Sequence, residues 1–521
     1  MRTRVPHSPW WQTAVIYQIY PRSFQDTDGD GVGDLRGITQ RLDYLADLGV
    51  DAIWISPFYP SPMADFGYDV SNYVDVDPRF GTLKDFDALV AAAHTRNLKV
   101  ILDFVPNHTS DQHPWFKEAR ASRTNSKRDW YIWRDQPNNW LANFGGGAWE
   151  LDPQTEQYYY HAYLAAQPDL NWRNPELRTG MMDVLRFWRA RGVDGFRVDV
   201  MWHLIKDAAF RDEPPNLAWR DGMDPYERLQ HIYSTDQPEV HAIVAEMRRV
   251  IAPALLIGEI YLPLEKMVAY YGKNLDGAQL PFNFNLLSTP WTPAAIADLI
   301  RRYEALLPPG AWPNWVLGNH DRARLATRVG PEQARIGAML LLTLRGTPTL
   351  YYGDELGLEN VAIPPDRVQD PWEKNVPGLG LGRDPVRTPM PWDSGPNAGF
   401  SLGVPWLPLN PDHATRNVAM LSREPRTLLA LYRALLALRR ALPALNGGDI
   451  RVIDGGPDIL AYERIAGHQR VIVALNFAGA PASLPLSGML RLSTWLDRAG
   501  EAVGPSLTLH AHEGVVVEVA S

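Results

Sequence analysis

Residues 194–202 read DGFRVDVMW. The run is apolar and β-branched enough for a buried strand, yet it carries Arg197 and Asp199 two positions apart. Alternate residues of a strand point the same way, so both charges share one face. An unpaired charge in a core costs several kcal/mol even after relaxation. That face must therefore hold partners for both.

Seven further runs have a similar character: AVIYQIYP (14–21), DAIWISP (51–57), KVILDFVP (99–106), LLIGEIY (255–261), PFNFNL (281–286), WVLGNHD (315–321) and TPTLYYGDE (347–355). Stretches such as ITQRLDYLADLG and LKDFDALVAAAHTRN lie between several of them and carry a leucine or alanine stripe at helical spacing. Eight uniformly apolar strands, mostly separated by helices, predict an α/β chain folded as a (β/α)8 TIM barrel with both sheet faces covered.

Two spacings are abnormal. More than 80 residues separate the third and fourth strands, too many for a crossover, so a small inserted domain is expected after strand 3, over 105–172. The barrel would then occupy 1–104 and 173–445, with a long Pro- and Gly-rich excursion at about 356–420. RTLLALYRALLALRRALPAL reads as an amphipathic helix. From 446 to 521, short alternating runs (DILAYERI, RVIVALNF, GVVVEV) split by Gly and Pro turns predict a C-terminal antiparallel β-sandwich domain.

The chain has 521 residues and a net charge of −9, which argues against a nucleic-acid or anionic-membrane partner held by general electrostatics. It has no cysteine, so disulfides, thiolate metal sites and cysteine nucleophiles are excluded. The N-terminus lacks an uninterrupted apolar core of signal-peptide length, and no window reaches the ~20 apolar residues of a membrane helix. The expectation is a soluble, cytoplasmic protein, a monomer or small homo-oligomer, with no membrane partner. Nineteen tryptophans and 21 tyrosines suit sugar rings and core packing equally well.

In a barrel of this kind chemistry sits where the strands end. Four strands end in groups an apolar strand would not otherwise carry: Asp103 with Asn107 and His108, Arg197 with Asp199, Glu259, and His320 with Asp321. No nucleophile elbow, H-E-x-x-H pattern or phosphate-binding glycine loop accompanies them. Carboxylate chemistry remains, and a carboxyl pair ~5 Å apart cleaves glycosidic bonds with retention.

DFVPNH, GFRVDV, GEI and GNHD, in that order, resemble the signature segments of the α-amylase family (glycoside hydrolase family 13), and QPDLNW at 167–172 resembles a further one. VIYQIYPRSFQDTDGDGVGDLRGI, GYD at 67–69 and GRDPVRTPMPW at 382–392 are similar to its α-glucosidase and oligo-1,6-glucosidase branch. The resemblance implies Asp199 as nucleophile, Glu259 as general acid/base and Asp321 as stabiliser of the distorted sugar. Arg197 would orient Asp199, His108 and His320 would bind hydroxyls, and Tyr68 would stack on the glucose. Asp69 and Arg383 would grip its far side, as in exo-acting members, and Phe144 in the FGG stretch would contact sugar. The branch usually has QPR after NHD. This chain has Arg322-Ala323-Arg324, which puts a charge near the expected leaving-group side.

DTDGDGVGD places Asp26, Asp28, Asp30 and Asp34 at positions 1, 3, 5 and 9 of an EF-hand-like loop, with Val32 offering a carbonyl. Position 12 is Gly37, so this is not an EF-hand. A structural Ca2+ or Mg2+ is expected, and no organic cofactor. The implied activity is exo-acting retaining α-glucosidase action on short oligosaccharides or disaccharides. Val200, the residue type of relatives preferring α-1,6 bonds, leans it toward those. The alternatives are a sucrose isomerase or trehalose synthase-type transglucosylase, and a non-catalytic interaction protein on the same scaffold.

Overall fold

The computed structural model describes residues 8–519. The first seven residues, part of the segment read for an export signal, lie outside the described residues, as do the last two of the expected C-terminal domain.

Eight short strands form one parallel sheet: β1 (Ile16–Ile19), β2 (Ala52–Ile55), β3 (Lys99–Phe104), β4 (Gly195–Val198), β5 (Leu255–Gly258), β6 (Leu280–Pro281), β7 (Asn314–Val316) and β8 (Thr347–Tyr351). The order β7-β8-β1-β2-β3-β4-β5-β6 curls the sheet into a barrel. The seam between β6 and β7 is stitched by one side chain: Asn314 Oδ1 accepts the Asn283 N–H at 2.9 Å, and its Nδ2 donates to the Pro281 carbonyl. PFNFNL does not form the strand expected of it. Pro281 has no N–H to extend a ladder, Asn283 Oδ1 accepts from Asn285 N at 3.1 Å, and Asn285–Ser288 turns into a helix.

Alternation within the strands explains the charges. On β3, Val100, Leu102 and Phe104 pack outward beneath the helices, whereas Ile101 belongs to the barrel interior and Asp103 follows it on the same side. On β4, Phe196 and Val198 pack outward, leaving Gly195, Arg197 and, just past the strand, Asp199 on the inner side. On β5, Leu255 and Ile257 fill the interior and Glu259 continues their row. The inner surface thus passes from apolar at the strand starts to charged at their ends.

Local signals place the flanking helices. Leu83–Thr95 opens with a capping box between Thr82 and Asp85, and Pro175–Ala190 has Asn174 as N-cap with Pro175 in its first turn. ITQRLDYLADLG breaks at Arg41 into Leu35–Gln40 and Leu42–Leu48. Between β3 and β4, Trp133–Arg134, Trp149–Asp152 and Gln157–Tyr160 form a three-stranded antiparallel sheet. After Leu428–Ala441, a six-stranded antiparallel sheet and a two-stranded one enclose an apolar layer containing Leu484, Leu490, Leu507 and Val515. A long segment, 207–238, that no sequence signal announced and whose one regular piece is the 3-10 turn Pro225–Arg228, runs between β4 and the helix Val240–Ile251. Part of it lines the cavity at the strand ends.

Candidate active site

A cavity of about 700 Å³ opens at the C-terminal ends of the strands. Its floor is one guanidinium. Arg197, fully buried, donates from Nη1 to Asp103 Oδ1 (2.8 Å) and Asp199 Oδ1 (2.7 Å), and its Nη2 lies 2.8 Å from Glu259 Oε2. Its other neighbour is the Trp54 ring, 4.9 Å from Cζ. The shared strand face therefore gives Arg197 three carboxylate partners, and no charge is left buried alone.

Asp199 and Glu259 both border the cavity. Asp199 follows β4, and the chain then bends sharply: Val200 adopts φ +37°, ψ +48°. A β-branched residue there is strained, by roughly 1–3 kcal/mol. The bend aims the Val200 N–H at Glu259 Oε2 (2.8 Å) and exposes Val200 to the cavity. Val200 is not a strand residue, so strand propensity does not account for it. Burial pushes both carboxyls up, and repulsion from Glu259 adds to the rise at Asp199 while Arg197 opposes it at both. The two titrate as one unit.

Asp321 differs. Burial would raise it, but the guanidiniums of Arg387 and Arg383 hold it well below the usual carboxylate range. Arg387 Nη2 donates to its Oδ1 at 2.8 Å, and Arg387 Nε donates to the His320 carbonyl at 2.8 Å. Gln18 Nε2 donates to His320 Nδ1 (2.7 Å), which leaves His320 Nε2 as the N–H facing Tyr68 Oη at 2.6 Å. Tyr68 in turn donates to Asp103 Oδ2 at 3.1 Å. His108 borders the cavity beside Gln167 and Asn107, and burial lowers it to about 4, so it is neutral near pH 7.

The structure brings Tyr68, His108, Phe144, Asp199, Glu259, His320, Asp321 and Arg383 to one cavity, with Arg197 beneath. Asp69 is the exception. It is fully buried, and its carboxylate accepts Ser61 Oγ (2.8 Å), Ala64 N (2.9 Å) and Asp65 N (3.0 Å), so it braces the turn and does not reach the cavity. Burial raises it to about 6. Asp65 takes the place expected of it: it lines the cavity and receives Arg383 Nη2 at 2.6 Å. Arg383 is further held by Asp370 (2.7 Å) and lies over the Phe144 ring at 4.6 Å. The ADFGYD stretch contains both acids, and the sequence holds no signal for which one turns inward. Asp65, Asp370, Arg387 and Tyr261 were not anticipated. Arg324, by contrast, is fully buried, with Nη1 on the Tyr352 carbonyl (2.8 Å).

In the acidic loop, carboxylate oxygens of Asp26, Asp28 and Asp34 lie within 4.8 Å of one another. Asp30 is not in this group; its Oδ1 accepts the Val32 N–H at 2.7 Å. Asp26 also accepts Gly31 N (2.9 Å) and Ser401 Oγ (2.5 Å), tying the loop to the excursion after β8. Gly31, at φ +89°, tolerates no side chain, because a Cβ would sit 1.9 Å from the Val404 carbonyl. An all-oxygen donor set of three carboxylates suits a hard cation.

The family described as "Alpha amylase, catalytic domain" matches residues 18–448. A probable alpha-glucosidase of Rhizobium meliloti (strain 1021) is 44% identical, over 92% of this chain and 92% of its own. The oligo-1,6-glucosidase of Parageobacillus thermoglucosidasius is 36% identical, over 90% of each chain. Among solved structures, the alpha-glucosyl transfer enzyme XgtA superposes with a TM-score of 0.93 at 42% identity, over 98% of this chain and 100% of its own. The trehalulose synthase MutB gives 0.92 at 36% identity, with the same coverage. With its carboxylates gathered at the mouth of a (β/α)8 barrel, this chain belongs to the α-amylase family of glycoside hydrolases.

Proposed function

We propose that the protein is an exo-acting retaining α-glucosidase that removes terminal glucose from short α-linked saccharides. The observation that carries this reading is the single guanidinium of Arg197 shared by Asp199 and Glu259. It ties the two carboxyls together, in keeping with the ~5 Å separation of the retaining class and not the wider gap that admits a water. Asp199 attacks the anomeric carbon, and Glu259 protonates the leaving oxygen and then deprotonates water. Asp321, held ionised by its arginines, supports positive charge as it develops on the sugar. Asp65 and Arg383, paired across the inner end, bind the far hydroxyls of one glucose and close that end, which favours exo action. His108 and His320 bind further hydroxyls as neutral rings.

Val200 carries the lean to α-1,6 bonds: directly after Asp199 it puts an apolar side chain on the cavity wall, where relatives preferring α-1,4 bonds more often carry threonine. A second reading, glucosyl transfer or sucrose isomerisation, is favoured by the likeness to XgtA and the trehalulose synthase over 98% of the chain. It uses the same groups and differs in how well water is kept from the glucosyl intermediate. Maltose, isomaltose, sucrose and trehalose, assayed with products resolved, separate these readings. Free glucose with a higher kcat/KM on isomaltose than on maltose is expected. The opposite ratio removes the linkage inference, and near-complete isomerisation of sucrose replaces hydrolysis by transfer. Asp26, Asp28 and Asp34 would hold a structural Ca2+ or Mg2+, with no part in the chemistry.

A further inference from the structure

Three arginines belong to the cavity, and two are neutralised. Arg197 is shared by three carboxylates, and Arg383 lies between Asp65 and Asp370 with Asp321 at 3.5 Å. Arg322 has no carboxylate within 4.0 Å among the described residues, although it lines the same cavity. It is exposed, and its position is set from below: Cζ lies 4.7 Å above the Tyr261 ring, which stacks on Phe284 at 4.2 Å and 4°. Tyr261 is two residues beyond Glu259, so Arg322 stands on the side where the leaving group departs. Lys266 is paired with Asp236 at 3.0 Å. Two acids of the 207–238 segment, Asp224 and Glu227, also line the cavity; Asp224 accepts Tyr226 N at 3.0 Å and feels Arg322 at longer range, but neither comes within 4.0 Å of the guanidinium.

A neutral leaving group filling this half of the cavity would strip water from an unpaired guanidinium and give it no counter-charge, which is unfavourable. A carboxylate presents two oxygens to the guanidinium fork and restores the balance. We propose that Arg322 is a specificity residue for an anionic leaving group, and that the substrates taken best are α-glucosides of carboxylate-bearing alcohols. In hydrolysis the glycosidic C–O bond breaks, Glu259 protonates the alcohol oxygen, and water supplies the hydroxyl of glucose. The hydroxy acid leaves with its carboxylate unchanged. The inference rests on the α-glucosidase reading.

The test compares 4-carboxyphenyl and 4-carbamoylphenyl α-glucosides, two substrates of nearly the same shape, with the native protein, Arg322→Gln and Arg322→Lys. The readout is the ratio of their kcat/KM values, so that intrinsic leaving-group reactivity cancels between proteins. A charge-assisted pair predicts that the ratio falls about tenfold or more in Arg322→Gln. Arg322→Lys should keep part of the preference, and added salt should weaken it in the native protein. An unchanged ratio in Arg322→Gln, including equal losses on both substrates, overturns the proposal while leaving the α-glucosidase reading intact. If the native protein cleaves neither glucoside nor any of the four disaccharides, both fail.

Discussion

Glu259 sits between opposing influences at atomic distance. Burial and Asp321 raise it; Arg197 and the Val200 N–H lower it. The net rise keeps its proton to higher pH than an ordinary carboxyl, so kcat/KM should fall as pH climbs through that raised value. The acidic side should report the second proton of the Asp199–Glu259 unit and no histidine in the range 5–7, because His108 is already neutral above about 4. Glu259→Gln should abolish the alkaline fall and lower turnover by about 10²–10⁴ on disaccharides, with a smaller loss on aryl glucosides whose phenolate leaves without help. Steady-state pH profiles of both proteins check this, and equal losses on good and poor leaving groups would remove the acid role. Asp199 and Glu259 were legible as cavity residues because a carboxylate continuing an apolar strand has no packing reason to be there, and Asp321, beyond the end of β7, because it closes the WVLGNHD run. Asp65 was not. Whether Asp65 or Asp69 turns inward depends on which backbone N–H groups of residues 61–65 need an acceptor, and only the folded turn sets that.

At the scale of elements, the barrel strands were legible wherever both faces are apolar, and the reading failed at PFNFNL. Its residues have strand propensity, but the side chains of Asn283 and Asn314 take the hydrogen bonds a ladder would use. The acidic loop after β1 is a different case. Its spacing revealed the carboxylates and not which of them converge, because Asp30 is drawn to the Val32 N–H. If Asp26, Asp28 and Asp34 hold a cation, Ca2+ at 100 times its Kd should add about 2.7 kcal/mol of stability. The expected outcome is a Tm that rises with added Ca2+, falls with chelator and no longer responds in Asp26→Asn. An identical Tm in all conditions would leave the loop as a turn held by its own amides.

Across the whole molecule, the cavity walls come from segments far apart in sequence. Arg383 and Asp65 are 318 positions apart. One buried lysine joins the barrel to the inserted segment: Lys206, past β4, lies 2.5 Å from Asp169 Oδ2 and donates to Asn107 Oδ1 at 2.8 Å. Asn107 also contacts His108 Nδ1 at 3.2 Å, so the same cation holds a cavity residue in place. Removing one partner of a buried pair costs about 3–5 kcal/mol. Lys206→Met should therefore lower Tm and raise KM more than it lowers kcat, and Lys206→Met with Asp169→Leu should recover part of the Tm. Thermal unfolding with steady-state kinetics checks both, and an unchanged KM would make Lys206 a purely structural residue.

By itself, the sequence determined the barrel: strands apolar on both faces must be covered on both sides, and charges that continue the inner row must meet at its mouth. Tertiary structure decided what the row could not encode. It gave Arg197 three partners, turned Asp65 inward in place of Asp69, bent Val200 into a strained conformation and left Arg322 unpaired. Each of these depends on hydrogen-bond and charge partners supplied by chain segments brought near only when the barrel closes.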